Sequence, residues 1–369
     1  TLPAGSAGSI VSLKDYANTW DTNNVTLTPN GTDKINGANA SAILNTEDQS
    51  VTLVYVDDTK GWRAVQDSTS SVTGNAFITA TGGTITTCGD CKIHTFTGPG
   101  TFCVSAIAST PANNQVSYLV VAGGGGGGRK CAGGGGGAGG FREDKSPVTP
   151  YTASPLDGAG DISVTATAFP ITVGGGGSAA PSNGDDGTAG SDSVFSTKTS
   201  AGGGRGQGNP STPTGGPGGS GGGGGNPSRP GGTGNTPPVS PAQGNNGGSS
   251  NSGGGSYQET GGGGGGAGAA GSNSSGNSNG GPGGNGSPTG ISGSATTYAG
   301  GAAGGTGGNH GFPVGEGGTG GGGNGANCQS DRNAQSGTAN TGGGGGGGAG
   351  SNTAGAGGSG IVIIRYKFQ

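Results

Sequence analysis

The chain has no methionine, two histidines and two tryptophans, and only 9% of its 369 residues are charged. Hydrophobic residues make up 26% and aromatics 5%. Each shortage excludes something. A chain this poor in aliphatic side chains cannot bury one large core, so an ordinary enzyme of one or two domains is not expected. Fifteen Lys and Arg against nineteen Asp and Glu give a net charge of −4. The basic stripe that nucleic-acid binding needs is missing. No apolar run reaches the ~18 residues of a membrane span. Thr1-Leu2-Pro3-Ala4 shows neither a basic n-region nor an apolar h-region, so the chain reads as a piece of a longer protein or a processed form.

Catalytic and metal-binding signals are equally sparse. A Ser–His–Asp set would have to use His94 or His310, and nothing places a nucleophile beside either. No Gly-Lys-Ser/Thr phosphate loop occurs, and Asp185-Asp186-Gly187 lacks the further carboxylates of a calcium loop. Cys88-Gly89-Asp90-Cys91, with His94 and Cys103 nearby, makes a zinc set arithmetically possible. The preferred reading is a disulfide within Cys88, Cys91 and Cys103; free thiols on a hairpin are the alternative. Cys131 and Cys328 either bridge two distant glycine-rich stretches or stay unpaired, and five cysteines leave at least one thiol over. No enzyme activity, cofactor or metal is expected.

Glycine is what the chain has instead. One hundred residues are glycine, against a usual share of about 7%. Eleven lie in residues 1–120 and 89 in residues 121–369. The composition changes near Val121-Ala122-Gly123.

Before that boundary the pattern is all-β. Ile10–Leu13, Val25–Thr28, Ala42–Leu44, Ser50–Val56 and Trp62–Val65 are short runs separated by turn residues, which predicts a small β-sandwich or β-prism module over residues 1–71. A second β unit follows over 72–122. Within it Thr97-Gly98-Pro99-Gly100 reads as a hairpin turn between two alternating runs. The apolar segment Ile361–Phe368 would be an aggregation-prone edge by itself, so it is expected to return and pair near Val116–Val121. Residues 360–369 then belong to the second β unit.

Residues 123–359 would be a long insertion, and four architectures use this much glycine. Collagen needs glycine at every third residue, which Gly123–Gly128 and Gly342–Gly348 break. A flexible linker would leave most of the chain without structure. Silk-like stacking needs a sustained Gly-Ala or Gly-Ser alternation that is missing. The remaining option is a bundle of polyglycine-II helices, the polyproline-II conformation built from glycine. Such helices have three residues per turn and no internal hydrogen bonds, so their backbone groups must bond to neighbours. About twelve glycine-rich runs are present, among them 132–140, 201–208, 261–271 and 342–350. At ~3.1 Å per residue each would span about 15–35 Å. The expected fold is therefore all-β N-terminal units followed by a polyglycine-II bundle, with essentially no α-helix.

Several segments resemble one family. Val116–Ala122 followed by Gly123–Gly128, and Gly133–Arg142, are similar to glycine-rich C-terminal domains of bacteriophage tail fibres. So are Ile93–Phe102 and Gly360–Tyr366, while Ser12–Ala17 with Gln49–Val56 resembles a β module of marine-phage fibres. The middle, about 142–350, matches in composition only, and five cysteines exceed the family's usual number. The resemblance implies a polyglycine-II sandwich whose distal loops bind the host receptor.

Bare glycine rods offer no specificity, so recognition is expected from large side chains in inter-rod loops. Those are Phe141, Arg142, Tyr151, Phe169, Phe195, Tyr257, Tyr298, His310 and Phe312. The alternative is that several fold back over the bundle sides. The longest loops are expected at 141–172, 178–200 and 326–341. The expected protein is a receptor-binding tip in the virion, a homotrimer through its N-terminal β units, attached to the rest of the fibre. Its partner would be a bacterial surface glycan or outer-membrane protein. A structural filament or a capsid or fibre decoration protein is the rival. An ice-binding surface is disfavoured because regular Thr or Ala rows are missing.

Overall fold

The computed structural model describes residues 1–68, 77–225, 227–252, 259–275, 279–307, 314–328 and 332–369. The described residues are nearly all β, and their one helical element is a 3-10 turn at Pro111–Asn114. The chain divides into two units, Thr1–Gly74 and Asn75–Gln369.

In the first unit Ser50–Tyr55 is the central strand between Ile10–Lys14 and Trp62–Ser68, all antiparallel. Its side chains alternate between partly exposed and buried, as a strand with one dry face must. Val51, Leu53 and Tyr55 pack with Leu2, Leu27, Leu44 and Trp62. Leu27 and Leu44 come from a separate two-stranded ribbon, Val25–Leu27 with Ala42–Leu44. Buried Asp15 ties the loops together by accepting the N–H groups of Thr19, Trp20 and Asp48.

The second unit begins as a β-sandwich. One sheet runs in the order Phe141–Asp144, Gln115–Val121, Ile361–Lys367, Cys91–Phe96, Thr84–Cys88. The other runs Lys198–Ser200, Ser193–Phe195, Ala168–Thr172, Gly100–Ala106, Thr79–Thr81. The C-terminal strand lies centrally, with Leu119 opposite Ile363 on one side and His94 opposite Ile364 on the other. Between the sheets Phe102, Phe195, Tyr118, Tyr366 and Phe96 form the dry core. Phe102 and Phe195 meet edge-on, with centroids 6.2 Å apart.

Two expectations change here. Thr97–Gly100 does not close a hairpin: Cys91–Phe96 and Gly100–Ala106 lie in different sheets, so the turn carries the chain across the sandwich. The tight hairpin is instead Thr84–Cys88 to Cys91–Phe96, where Cys88 and Cys91 pair across Gly89-Asp90. Gly89 takes φ +56°, the left-handed region such two-residue turns use. In addition, the stretches expected as loops at 141–172 and 178–200 supply five strands. Their apolar groups are few but large, and burial between the sheets outweighs exposure in a loop.

Six sandwich strands run straight on into glycine segments. Gln115–Val121 leads into 123–128, Ala168–Thr172 into 174–180, and Lys198–Ser200 into 201–208. Segments 133–140, 187–191 and 354–360 lead the other way, into Phe141–Asp144, Ser193–Phe195 and Ile361–Lys367. At the junction Ser193 and Ser200 donate their hydroxyls to the carbonyls of Val121 and Val120, at 2.8 and 2.7 Å.

Within the segments the hydrogen bonds recur every third residue. Gly123 and Gly126 donate to Ser191 and Thr188, Gly124 and Gly127 to Gly358 and Gly355, and Gly125 and Gly128 to Gly137 and Gly134. Their carbonyls accept from Gly203 and Gly206, Gly177 and Ala180, and Gly345 and Gly348, in the same order. Segment 123–128 is thus bonded to six neighbours. Segment 133–140 repeats this pattern with 342–348, 201–207, 262–265, 299–305, 122–128 and 220–223. Side chains are excluded by distance: a Cβ on Gly125 would stand 2.1 Å from the Gly204 carbonyl oxygen. The interior is backbone against backbone, with Ala138, Ala302 and Ala303 as the largest apolar groups tolerated in these segments.

Candidate functional site

Phe141, Arg142, Phe195 and Tyr298 are all buried. Phe195 belongs to the sandwich core, and Phe141 and Tyr298 to a second apolar layer on the sheet's other face. Arg142 donates to the Ala159 carbonyl. Phe169 is half-buried against the sandwich core. These residues lie in strands, and Phe141, Phe195 and Tyr298 fill the two apolar layers, as the alternative of side chains folded back against the body has it. Tyr257, His310 and Phe312 lie outside the described residues. Tyr151 is half-buried and does reach a cavity.

All five cysteines are free. Cys131 and Cys328, distant in sequence, do come together: the Cys328 thiol lies 3.7 Å from the Cys131 carbonyl oxygen. Burial, with Glu259 adding to it, pushes the Cys131 thiol up. The zinc set does not assemble. His94 is buried, donating Nδ1–H to the Gly82 carbonyl at 2.7 Å and accepting the Tyr366 hydroxyl on Nε2 at 3.1 Å. Desolvation holds its pKa below the usual 6.5.

The cavity that Tyr151 lines is a pocket of ≈ 500 Å³ between the segments Pro150–Pro155 and Pro288–Ala295, over the C-terminal strand. Small-molecule sites typically have about 300–1,000 Å³. Strand Ile361–Lys367 explains its floor. Val362, Ile364 and Tyr366 face the sandwich core, so Ile361, Ile363 and Arg365 face the other way. There they meet the layer of Leu119, Phe141, Ile291 and Tyr298, which the hairpin Ser287–Thr289 and Thr296–Tyr298 helps to cover. Arg365 is thus a cation in an apolar layer, 3% exposed.

Its guanidinium is held by carbonyls, not by a carboxylate. Nη2 donates to Pro150 at 2.9 Å, and Nη1 to Ile291 and Gly290 at 3.4 and 3.5 Å. Nε is buried with no hydrogen-bond partner. The two ion pairs among the described residues, Lys14–Asp48 and Arg205–Asp186, lie elsewhere. Arg365 stacks on the Tyr151 ring at 5.2 Å, and Lys145 approaches the same ring at 5.5 Å. Behind the wall, Glu143 is fully buried, accepting the Thr289 hydroxyl at 2.5 Å and the Ser154 N–H at 3.0 Å. Burial raises its pKa above the usual 4.5. Burial, and then Glu143, likewise raises the Tyr151 phenol. Pro150, Pro155, Pro288, Ala153, Ala295 and Cys88 are among the other lining residues, with Thr152 and Ser294 exposed at the mouth.

Sequence reasoning named Arg365 only as part of the closing strand. The available signal was a lone cation inside Ile361–Tyr366, at a position where alternation demands burial. No group of three or more His, Cys, Asp or Glu side chains that could hold a metal occurs among the described residues. No helix among them is long and apolar enough to cross a membrane. A family model described as a glycine-rich domain matches residues 95–367. No curated protein matches the chain.

Proposed function

The chain belongs to the glycine-rich domain family, and from that premise we propose that it is the receptor-binding tip of a bacteriophage tail fibre. Its glycine segments would be polyglycine-II helices. What supports this is the three-residue bonding period with six neighbours around 123–128, because a helix of three residues per turn turns its backbone groups toward neighbours at that interval. Such a bundle is a stiff platform with almost no side-chain chemistry of its own. Recognition then falls to the polypeptide at its margins, where the Arg365 pocket is a formed cavity of ≈ 500 Å³. The N-terminal β units attach and trimerise the tip. The partner is a bacterial surface glycan or outer-membrane protein, and adhesion is non-covalent, strengthened by several copies per particle.

The single observation that carries this reading is the contrast between a side-chain-free bundle and a formed pocket beside it. The test is binding of the fluorescently labelled chain to a panel of bacteria. Labelling restricted to some strains, and abolished by periodate or protease treatment of the cells, is the expected result. Absence of labelling on every strain overturns the reading. A second reading, a structural filament or decoration protein, is favoured by the burial of Phe141, Phe195 and Tyr298, which removes three groups from the recognition surface.

A further inference from the structure

We propose that the Arg365 pocket binds a carboxylate-bearing sugar, a pyranose acid within an acidic surface polysaccharide. This inference rests on the adhesin reading and names the ligand class of its site.

The argument starts from donor arithmetic. A guanidinium has five N–H donors and no acceptor. In Arg365 three are directed at the carbonyls of Gly290, Ile291 and Pro150. The buried Nε–H has no acceptor, and Arg365 lines the pocket. A carboxylate is the group a guanidinium pairs with most strongly. A buried cation without a counter-charge is costly, and nothing among the described residues forms an ion pair with it. Glu143, a buried carboxyl behind the wall, is engaged by Thr289 and Ser154, and burial raises its pKa. Lys145 beside Tyr151 adds a second positive charge. The pocket therefore suits an anion.

The walls say what carries the anion. Pro150, Pro155 and Pro288 are flat and apolar, suited to the C–H face of a pyranose. Thr152 and Ser294 at the exposed mouth offer hydroxyls for ring hydroxyl groups. A peptide ligand would need free backbone acceptors. The carbonyls of Pro150, Gly290 and Ile291 are instead occupied by Arg365 itself.

The experiment is calorimetric titration of the full chain with a galacturonic acid trisaccharide, the matching galactose trisaccharide, and a tetrapeptide with a free C-terminal carboxylate. The acidic sugar is expected to bind at least about tenfold tighter than either, because the neutral sugar leaves Arg365 unpaired. Arg365→Gln should lose that tenfold preference while leaving the weak binding of the neutral sugar unchanged. If R365Q does not fold, Ala295→Trp at the exposed mouth should abolish binding of both sugars with an unchanged melting temperature. Equal binding of acidic and neutral sugars, tighter binding of the peptide, no binding of any probe, or full binding by A295W overturns the proposal. The cell-labelling experiment separates the two claims. Strain-specific labelling without sugar binding removes only the pocket assignment, whereas sugar binding without cell labelling removes only the adhesin.

Discussion

The sandwich and the glycine segments solve the same problem with opposite materials. In the sandwich, Phe102, Phe195 and Tyr366 exclude water, and the backbone pairs along two flat ladders. In the glycine segments no side chain larger than a methyl enters the interior between 123–128 and 133–140, and the backbone bonds outward in several directions. A side-chain core is specified by shape and tolerates swaps of similar volume. A backbone core is specified by the absence of Cβ atoms and tolerates almost nothing. The two are continuous: six strands become six segments, so the sandwich sets the register in which the segments meet.

That contrast can be broken in order of expected effect. Gly125→Val would press its side chain into the Gly204 carbonyl, a backbone atom that cannot yield. It should cost more than about 4 kcal/mol or prevent folding, read as lost soluble yield and lost thermal transition. Phe102→Ala empties the aromatic centre of the sandwich and should cost about 3–5 kcal/mol by denaturant unfolding, leaving a folded protein. If both substitutions cost the same, the distinction between the two cores fails.

Acid probes the sandwich side of the comparison, where two of the buried titratable groups, His94 and Glu143, lie on opposite faces of one sheet. His94 has a depressed pKa, so its contribution is full above pH 6.5 and is lost as pH falls below it. The slope reaches at most about 1.4 kcal/mol per pH unit. His94→Gln should remove that slope in melting curves recorded between pH 7 and 5. Glu143 has the opposite sign: its raised pKa makes its contribution full below 4.5 and lost as pH rises. Glu143→Gln should therefore melt higher than the parent at pH 7 and equal to it at pH 4.

The smallest effects are expected where the glycine region tolerates a methyl group. Ala138→Gly keeps every backbone bond and should cost about 1 kcal/mol through added chain entropy and the lost methyl. At Gly175 an added Cβ meets nothing within 4 Å. Gly175→Ala should stay within about 0.5 kcal/mol of the parent, as surface changes usually do. A large loss there would mean that glycine is needed for reasons other than steric exclusion.

Much of the architecture is visible in the sequence, but not its assembly. The step in glycine content at Val121-Ala122-Gly123 and the apolar run Ile361–Phe368 announce a strand end and a strand. The strands at 141–144, 162–163, 168–172, 193–195 and 198–200 are two to five residues long, too short for any period to register. Phe141 and Phe195 therefore read as loop aromatics. Thr97–Gly100 misleads for another reason: alternation tells which face a residue takes, not which strand it pairs with. The candidate site is less legible still. Arg365 stands out, yet the pocket walls come from Pro150–Pro155 and Pro288–Ala295, brought together only by the fold.

The three-residue bonding interval gives the glycine region something like a reading frame. Removing one residue ahead of Gly126 would rotate each following N–H toward a different neighbour: the donor that now meets Thr188 would take the place of Gly125 and be turned to the segment of Gly137. Removing three would restore every direction and shorten the segment by one bonding interval. Length variation inside these segments should therefore come in threes, while the connections between them are free to grow by any number. Loops could change length freely while the segments they join change only in steps of three residues.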